Sequence, residues 1–329
     1  MAGDSTFVST GHLPRPELVQ RLVDDAFERH RPNVEGANAD VYPALTRVDP
    51  DLFGVCLVAN DANVYAAGDS EHQFSIMSVS KPFVFALVCE LLGPREARER
   101  LGVNSTGLAF NSVAAIERAA DGRTNPMVNA GAIATTGLVP GKSAESRWTF
   151  IRRGLSAFAG RELSLNEEIY ESASRKNQRN ESIARLLQSY GRLEGDPVAT
   201  LDLYTKQCSL NVTAKDLAAM GATLADAGVN PLSGARVVDA DTCRRTLAVM
   251  ATAGLYETSG DWLYDVGLPG KSGIGGGIVT VVPGKGGLGT FAPRLDFAGN
   301  SVRGQLVAAE LSHGLGLDIF VSQPERSRR

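Results

Sequence analysis

The sequence predicts an α+β fold: an antiparallel sheet built from strands near both ends of the chain and flanked by helices, with a helical lobe inserted in the middle. Three observations predict it. Short apolar runs bounded by turn residues sit near 52–69 and again near 275–296. Helix-spaced segments fill the interval between them. Each end also carries a helical segment able to cover a sheet face. The expected organisation is a single domain over 1–329 with two lobes, an α/β lobe of about 1–75 and 257–329 and a helical lobe of about 76–256, forming one cooperative unit with a cleft between them.

Taken in order, PELVQRLVDDAFERHR (15–30) places apolar residues at helical spacing behind a proline, which suits the first turn of a helix. LFGVCLVAND (52–61) and NVYAAGD (63–69) form a hairpin around Asn60-Asp61. Helices are expected over 79–92, 144–158, 180–190, 213–227 and 240–253. GGGIVTVVPG (275–284) and GLGTFAPRLD (287–296) read as two more strands joined by a glycine-rich turn. A closing helix spans 300–315, with Asn300 as its cap. Two hairpins so far apart in sequence can pair into one sheet.

Composition narrows the function. The 329 residues are 43% hydrophobic and 21% charged, an ordinary balance for a packed core. A formal net charge of −4 argues against a nucleic-acid partner and leaves a small-molecule partner open. The four cysteines, Cys56, Cys89, Cys208 and Cys243, have no C-x-x-C spacing and read as reduced, buried thiols. His12, His30, His72 and His313 are scattered, so no metal and no cofactor is expected. MAGDSTFVSTGHLPRP lacks the pattern of a signal peptide, and no run has the ~18–20 apolar residues of a membrane span. A cytoplasmic protein with no membrane partner is the expectation.

The stretch FSIMSVSKPFV (74–84) holds the one S-x-x-K of the chain, Ser78 to Lys81. One reading makes Ser78 a helix cap and Lys81 a solvated surface charge. The other makes them a nucleophile and its base. Residues three apart on a helix are neighbours, and a serine hydroxyl needs an adjacent base to react. A lysine can serve when burial depresses its pKa, and Ile76, Met77, Val79, Phe83 and Val84 supply apolar surroundings. Free N–H groups at a helix start also favour an oxyanion. Lys271-Ser272-Gly273, at the lip of a strand and followed by Ile274-Gly275-Gly276-Gly277, favours the second reading. A phosphate-binding loop is discounted there, because the G-x-x-x-x-G-K-[ST] order is absent.

S-x-x-K with a later K-[ST]-G on a strand resembles the pairing of the serine β-lactamases and penicillin-binding proteins. NPMVNAGAI (125–133), LDLYTKQCSLNVT (201–213), GLYETSGDWLYDVGLPGKSGIGGGI (254–278) and GNSVRG (299–304) carry a narrower resemblance, to the serine-dependent glutaminases, from about residue 15 to about 315. That resemblance implies a β-lactamase-like fold and hydrolysis of L-glutamine to L-glutamate and ammonia. It implies Ser78 as nucleophile, Lys81 as base and Tyr256 as proton shuttle. It implies substrate binding by Asn129, Asn180, Tyr204, Tyr256 and Ile274, with the N–H groups of Ser78 and Ile274 as oxyanion donors. It also implies a homo-oligomer, dimer or tetramer. Read alone, Tyr204 and Tyr256 are equally core tyrosines with wet tips, Asn129 a turn or cap residue and Asn180 the N-cap of 181–190.

The resemblance breaks on the substrate side. Met77 stands where the family has glutamine, Ala173 where it has a glutamate that holds the substrate ammonium, and Val41 where it has tyrosine, although Tyr42 is adjacent. Gln178 replaces a common aspartate, and Glu171 lies two residues from the missing carboxylate. These changes are expected to weaken or alter substrate preference, towards an amide whose amino end is blocked or absent. The alternatives are a non-catalytic ligand-binding relative, or a hydrolase of another small amide or a β-lactam.

Overall fold

The computed structural model describes residues 11–322. The expectation about the first residues of the chain therefore falls largely outside the described residues. Strands β1 (Gly54–Ala59), β2 (Val64–Gly68), β3 (Phe74–Ser75), β4 (Asn211–Val212), β5 (Gly270–Ser272), β6 (Gly277–Val282) and β7 (Gly286–Phe291) form two sheets. The larger is five-stranded and antiparallel, in the order β2-β1-β7-β6-β5. The two hairpins meet through β1 and β7, with Leu57 opposite Leu288. The fold is α+β, as expected.

Both faces of this sheet are covered, which explains why its strands read as near-continuous apolar runs rather than as clean alternation. On β1, Val55 and Leu57 point to one core and Cys56 and Val58 to the other; on β6, Ile278 and Val282 oppose Val279 and Val281. Helices Pro16–His30 and Val302–Leu315 pack together on the first face through Val19, Val23, Val307 and Leu311. Each such fully buried side chain contributes roughly 1.5–3 kcal/mol.

The second face receives the helix Ala214–Ala225, laid directly on β7. Gly287 and Gly289 make this possible. A Cβ on Gly289 would lie 2.0 Å from the Ala214 carbonyl oxygen, and one on Gly287 2.3 Å from the Ala218 carbonyl oxygen. Two backbones can approach so closely only where one has no side chain. A capping box between Thr213 and Asp216 starts this helix, and Asp216 also accepts two bonds from Arg161.

Several boundaries differ from expectation. The cap of the last helix is Ser301, whose hydroxyl accepts from the Gly304 N–H; Asn300 instead donates to Thr258 and Leu255. Asn177, not Asn180, occupies the N-cap position of the helix Gln178–Ser189. Helices at Asn129–Gly137, Glu167–Ser174, Pro197–Cys208 and Ser259–Val266 had no expectation. Asn129–Gly137 and Pro197–Cys208 are buried on several sides and show no single apolar stripe, whereas Glu167–Ser174 and Ser259–Val266 are amphipathic but only eight residues long, about two turns. Among the described residues, no single helix is long and apolar enough to cross a membrane.

Candidate active site

The small β3–β4 sheet leads into the S-x-x-K segment. Phe74 pairs with Val212, and the Ile76 N–H donates to the Leu210 carbonyl at 2.9 Å. The chain then turns sharply at Met77, a non-glycine residue at φ +46°, a conformation that costs about 1–3 kcal/mol. The Met77 side chain packs against Ala44, Leu45 and Ile169. Ser78 follows in a short 3-10 turn that runs into the helix Ser80–Leu92. Ser78 is 8% exposed and Lys81 1%, so the solvated surface lysine of the first reading is excluded.

The Lys81 amine donates to Asn129 Oδ1 at 2.7 Å, and burial lowers its pKa to about 8. On the other side of Ser78, Tyr256 is held at φ +53°. Its hydroxyl donates to the Ser272 carbonyl at 3.3 Å, and the neighbouring Ser78 hydroxyl and Ile274 N–H favour its ionised form against burial. Burial pushes this phenol well above its usual range. Lys271 lies behind it, its amine 4.4 Å from the Tyr256 ring centroid and donating to the carbonyls of Gly254 (2.8 Å) and Ser272 (2.7 Å). Burial, and after it the charge of Lys81, pull the Lys271 amine well below its usual range.

Lys271 and Ser272 belong to β5, a separate edge strand paired with β6. This corrects their placement at the lip of the glycine-rich strand. Gly273 then brings the chain against the serine turn: a Cβ there would meet the Ile76 carbonyl oxygen at 3.0 Å and the Ser78 nitrogen at 3.3 Å. Ile274 lies in the turn just beyond, off the strand. Its N–H and that of Ser78 therefore border the same space.

A chain of side-chain amides runs away from Lys81. Asn129 Nδ2 donates to Asn180 Oδ1 at 2.9 Å, Asn180 Nδ2 to Asn177 Oδ1 at 2.9 Å, and Asn177 Nδ2 to Thr205 Oγ1 at 2.7 Å. Tyr204 donates to Asn129 Oδ1 at 3.3 Å. Asn129 is the first residue of its helix and Asn180 lies inside another, so neither is a cap. A cavity of about 460 Å³ opens over this floor, lined by Ser78, Asn129, Asn180, Tyr204 and Ile274. Met77, Ala173, Val41 and Tyr42 share its wall, and Cys208 reaches it. Lys81 and Tyr256 are not on this wall. Glu171 does not fill the place beside Ala173; it pairs with Arg175 at 2.9 Å. Gln178 points elsewhere, donating to the Arg175 carbonyl.

The sequence reading missed three participants. The Phe110 ring packs 4.5 Å from the Tyr256 ring at a tilt of 41°, lies 6.0 Å from the Lys81 amine, and the Phe110 carbonyl receives the Asn129 N–H. It sits in a loop with no local signal. Asn177 and Thr205 extend the amide chain; KNQRN carries a second asparagine that could have drawn notice.

Residues 36–320 match the family model described as Glutaminase. The chain belongs to the glutaminase family. It is 66% identical to "Glutaminase 2" of Yersinia pestis, over 97% of this chain and 94% of that one. It is 47% identical to a glutaminase of Colwellia psychrerythraea, over 93% and 99%. Among solved structures, a "Probable glutaminase ybaS" superposes with a TM-score of 0.91 at 45% identity, covering 94% of this chain and all (100%) of that one. A probable glutaminase from Bacillus subtilis, solved with 6-diazo-5-oxo-L-norleucine, gives 0.84 at 29% identity over 96% and 100%. The glutaminase-family fold of this chain is thus the β-lactamase-like one that the S-x-x-K and K-S-G motifs pointed to.

Proposed function

We propose that this glutaminase-family chain is a serine-dependent amide hydrolase acting on linear side-chain amides of the L-glutamine type, releasing the carboxylic acid and ammonia. Ser78 Oγ attacks the amide carbonyl carbon while its proton passes to Lys81. The oxyanion forms between the N–H groups of Ser78 and Ile274; losing one such donor typically costs about 2.7–4 kcal/mol of barrier lowering. The C–N bond breaks as the nitrogen takes the proton back from Lys81 through the Tyr256 hydroxyl, and ammonia leaves. Water then attacks the Ser78 ester, gives its proton to Lys81, and the acid departs as Ser78 Oγ is reprotonated.

One observation carries this reading: a buried amine with a pKa of about 8, held by a neutral amide oxygen one helical turn from a hydroxyl that Tyr256 also neighbours. Two buried amines also face the same region. Lys271 has two carbonyls and an aromatic face to stabilise a charge, whereas Lys81 has one amide oxygen. Burial pulls both amines below their usual range, and we assign the role of base to Lys81 because it follows Ser78 by one helical turn. The relatives' names support the substrate type. Further support for a reducing, cytoplasmic setting comes from four free cysteines.

The test is ammonia release from L-glutamine and related amides by the wild type and Ser78→Ala. The expected loss is roughly 10³-fold or more. A variant retaining more than about a tenth of the activity would remove Ser78 from the chemistry, and silence on every amide would leave the non-catalytic reading.

A further inference from the structure

The amide chain on the cavity floor has a direction, and the direction is fixed at both ends. Lys81 donates to Asn129, so the Asn129 oxygen faces inward. At the far end Thr205 gives its own hydroxyl proton to the Leu201 carbonyl at 2.8 Å, so it must accept from Asn177. Every asparagine between therefore has its oxygen occupied by a protein donor, at 2.7–2.9 Å. What Asn129 and Asn180 have left over is one N–H each, because a carboxamide has two and each uses one within the chain.

The charges around the opening have the same bias. Lys176 and Arg179 line it, and among the described residues neither pairs with a carboxylate, although the neighbouring Arg175 and Arg185 pair with Glu171 and Glu181. Two carboxylates line it. Asp296 is committed: Oδ1 accepts the N–H groups of Ala298 and Asn300, and Oδ2 accepts from Gln305. Asp40 stands exposed at the rim. Of the remaining wall amides, Asn38 Oδ1 is sealed from solvent, and Asn111 lies at the mouth, where its backbone carbonyl accepts from Arg179. Ala173, buried on the same wall, brings no charge.

A floor whose amide oxygens are all taken while its amide N–H groups are left over suits an anion better than an ammonium, whose three N–H groups need oxygens. Building on the hydrolase reading, we propose that the site recognises the far end of its substrate through a carboxylate alone, so that its preferred substrates are ω-monoamides of dicarboxylic acids whose α-ammonium is absent or acylated. The free amino group of L-glutamine contributes no recognition here.

Three amides test this on the full chain: L-glutamine, glutaramate (the same molecule without the amino group) and glutaramide (the carboxylate replaced by a neutral amide). Glutaramate is expected to match or exceed L-glutamine in kcat/KM, and glutaramide to fall at least tenfold below glutaramate. L-glutamine exceeding glutaramate by more than threefold, or glutaramide equalling it, would overturn the proposal while leaving the hydrolase intact. Ammonia from none of the three would overturn both. Ala173→Glu is expected to shift the glutamine-to-glutaramate ratio at least tenfold towards glutamine. Because that variant places a charge in a buried position, a second readout uses the unaltered pocket: glutarate and L-glutamate as competitive inhibitors of the wild type. Glutarate is expected to inhibit at least as well as L-glutamate, and a tenfold advantage for L-glutamate would count against the assignment.

Discussion

At the scale of single residues, the proposed mechanism makes Lys81 the group that sets the pH behaviour. The base must be neutral, so kcat/KM is expected to rise with pH through about 8 and level off above it. A bell centred near 6 would point to a different base. The same burial has a stability consequence with the opposite sense. Below pH 8 the folded protein holds a charged amine where the pKa has been depressed from 10.5 to about 8, which costs about 3 kcal/mol. Between 8 and 10.5 the folded form is already neutral while the unfolded chain is still protonated, so that cost disappears as pH rises. Lys81→Met is thus expected to be nearly inactive yet to melt higher than wild type at pH 7, with the gap in Tm closing towards pH 10. Equal Tm values at pH 7 would mean that the amine is not destabilised by its site. Met77 was legible only as a departure from the family pattern, because no local sequence signal gives a methionine φ +46°. Met77→Gly removes roughly 1–3 kcal/mol of backbone strain but also the packing against Ala44, Leu45 and Ile169, and should lower activity more than stability.

At the scale of elements, the terminal helices and the two hairpins were readable because periodicity and turn residues agree there. β5 was not, since three residues are too short for any period. The helix Ala214–Ala225 was expected, but its seat on β7 was invisible, because it depends on which glycines face which backbone. Gly289→Ala tests that seat. Its Cβ would overlap the Ala214 carbonyl, backbone against backbone, so neither partner can rotate away. A destabilisation of about 3 kcal/mol or more is expected in thermal or denaturant unfolding. A neutral result would show that the helix can lift off the strand. The site was legible as a set of residues and not as a geometry: Ser78, Lys81, Tyr204 and Asn129 are visible as motif positions, whereas Phe110 and the order of donors along the asparagines exist only in three dimensions.

At the scale of the whole molecule, the sheet is a wall shared by two cores. One core holds Leu311 and the other Phe158, and β1 and β6 contribute side chains to both. Loss of either core exposes strands the other needs. Leu311→Ala and Phe158→Ala, each expected to cost about 2–5 kcal/mol, should therefore move one and the same unfolding transition, with near-ultraviolet and far-ultraviolet signals coinciding. Separate transitions would show that the helical region folds on its own.

The asparagine floor has one more consequence, for the traffic of hydrogen ions during turnover. Carboxamides bind a proton far too weakly to relay one, so the neighbours that hold Lys81 from below form an insulating layer. On the proposed mechanism, whatever Lys81 removes from Ser78 has no exit through the interior. It must return across the same few ångströms to the departing nitrogen, and each catalytic cycle closes on itself without borrowing from bulk water until the hydrolytic half begins.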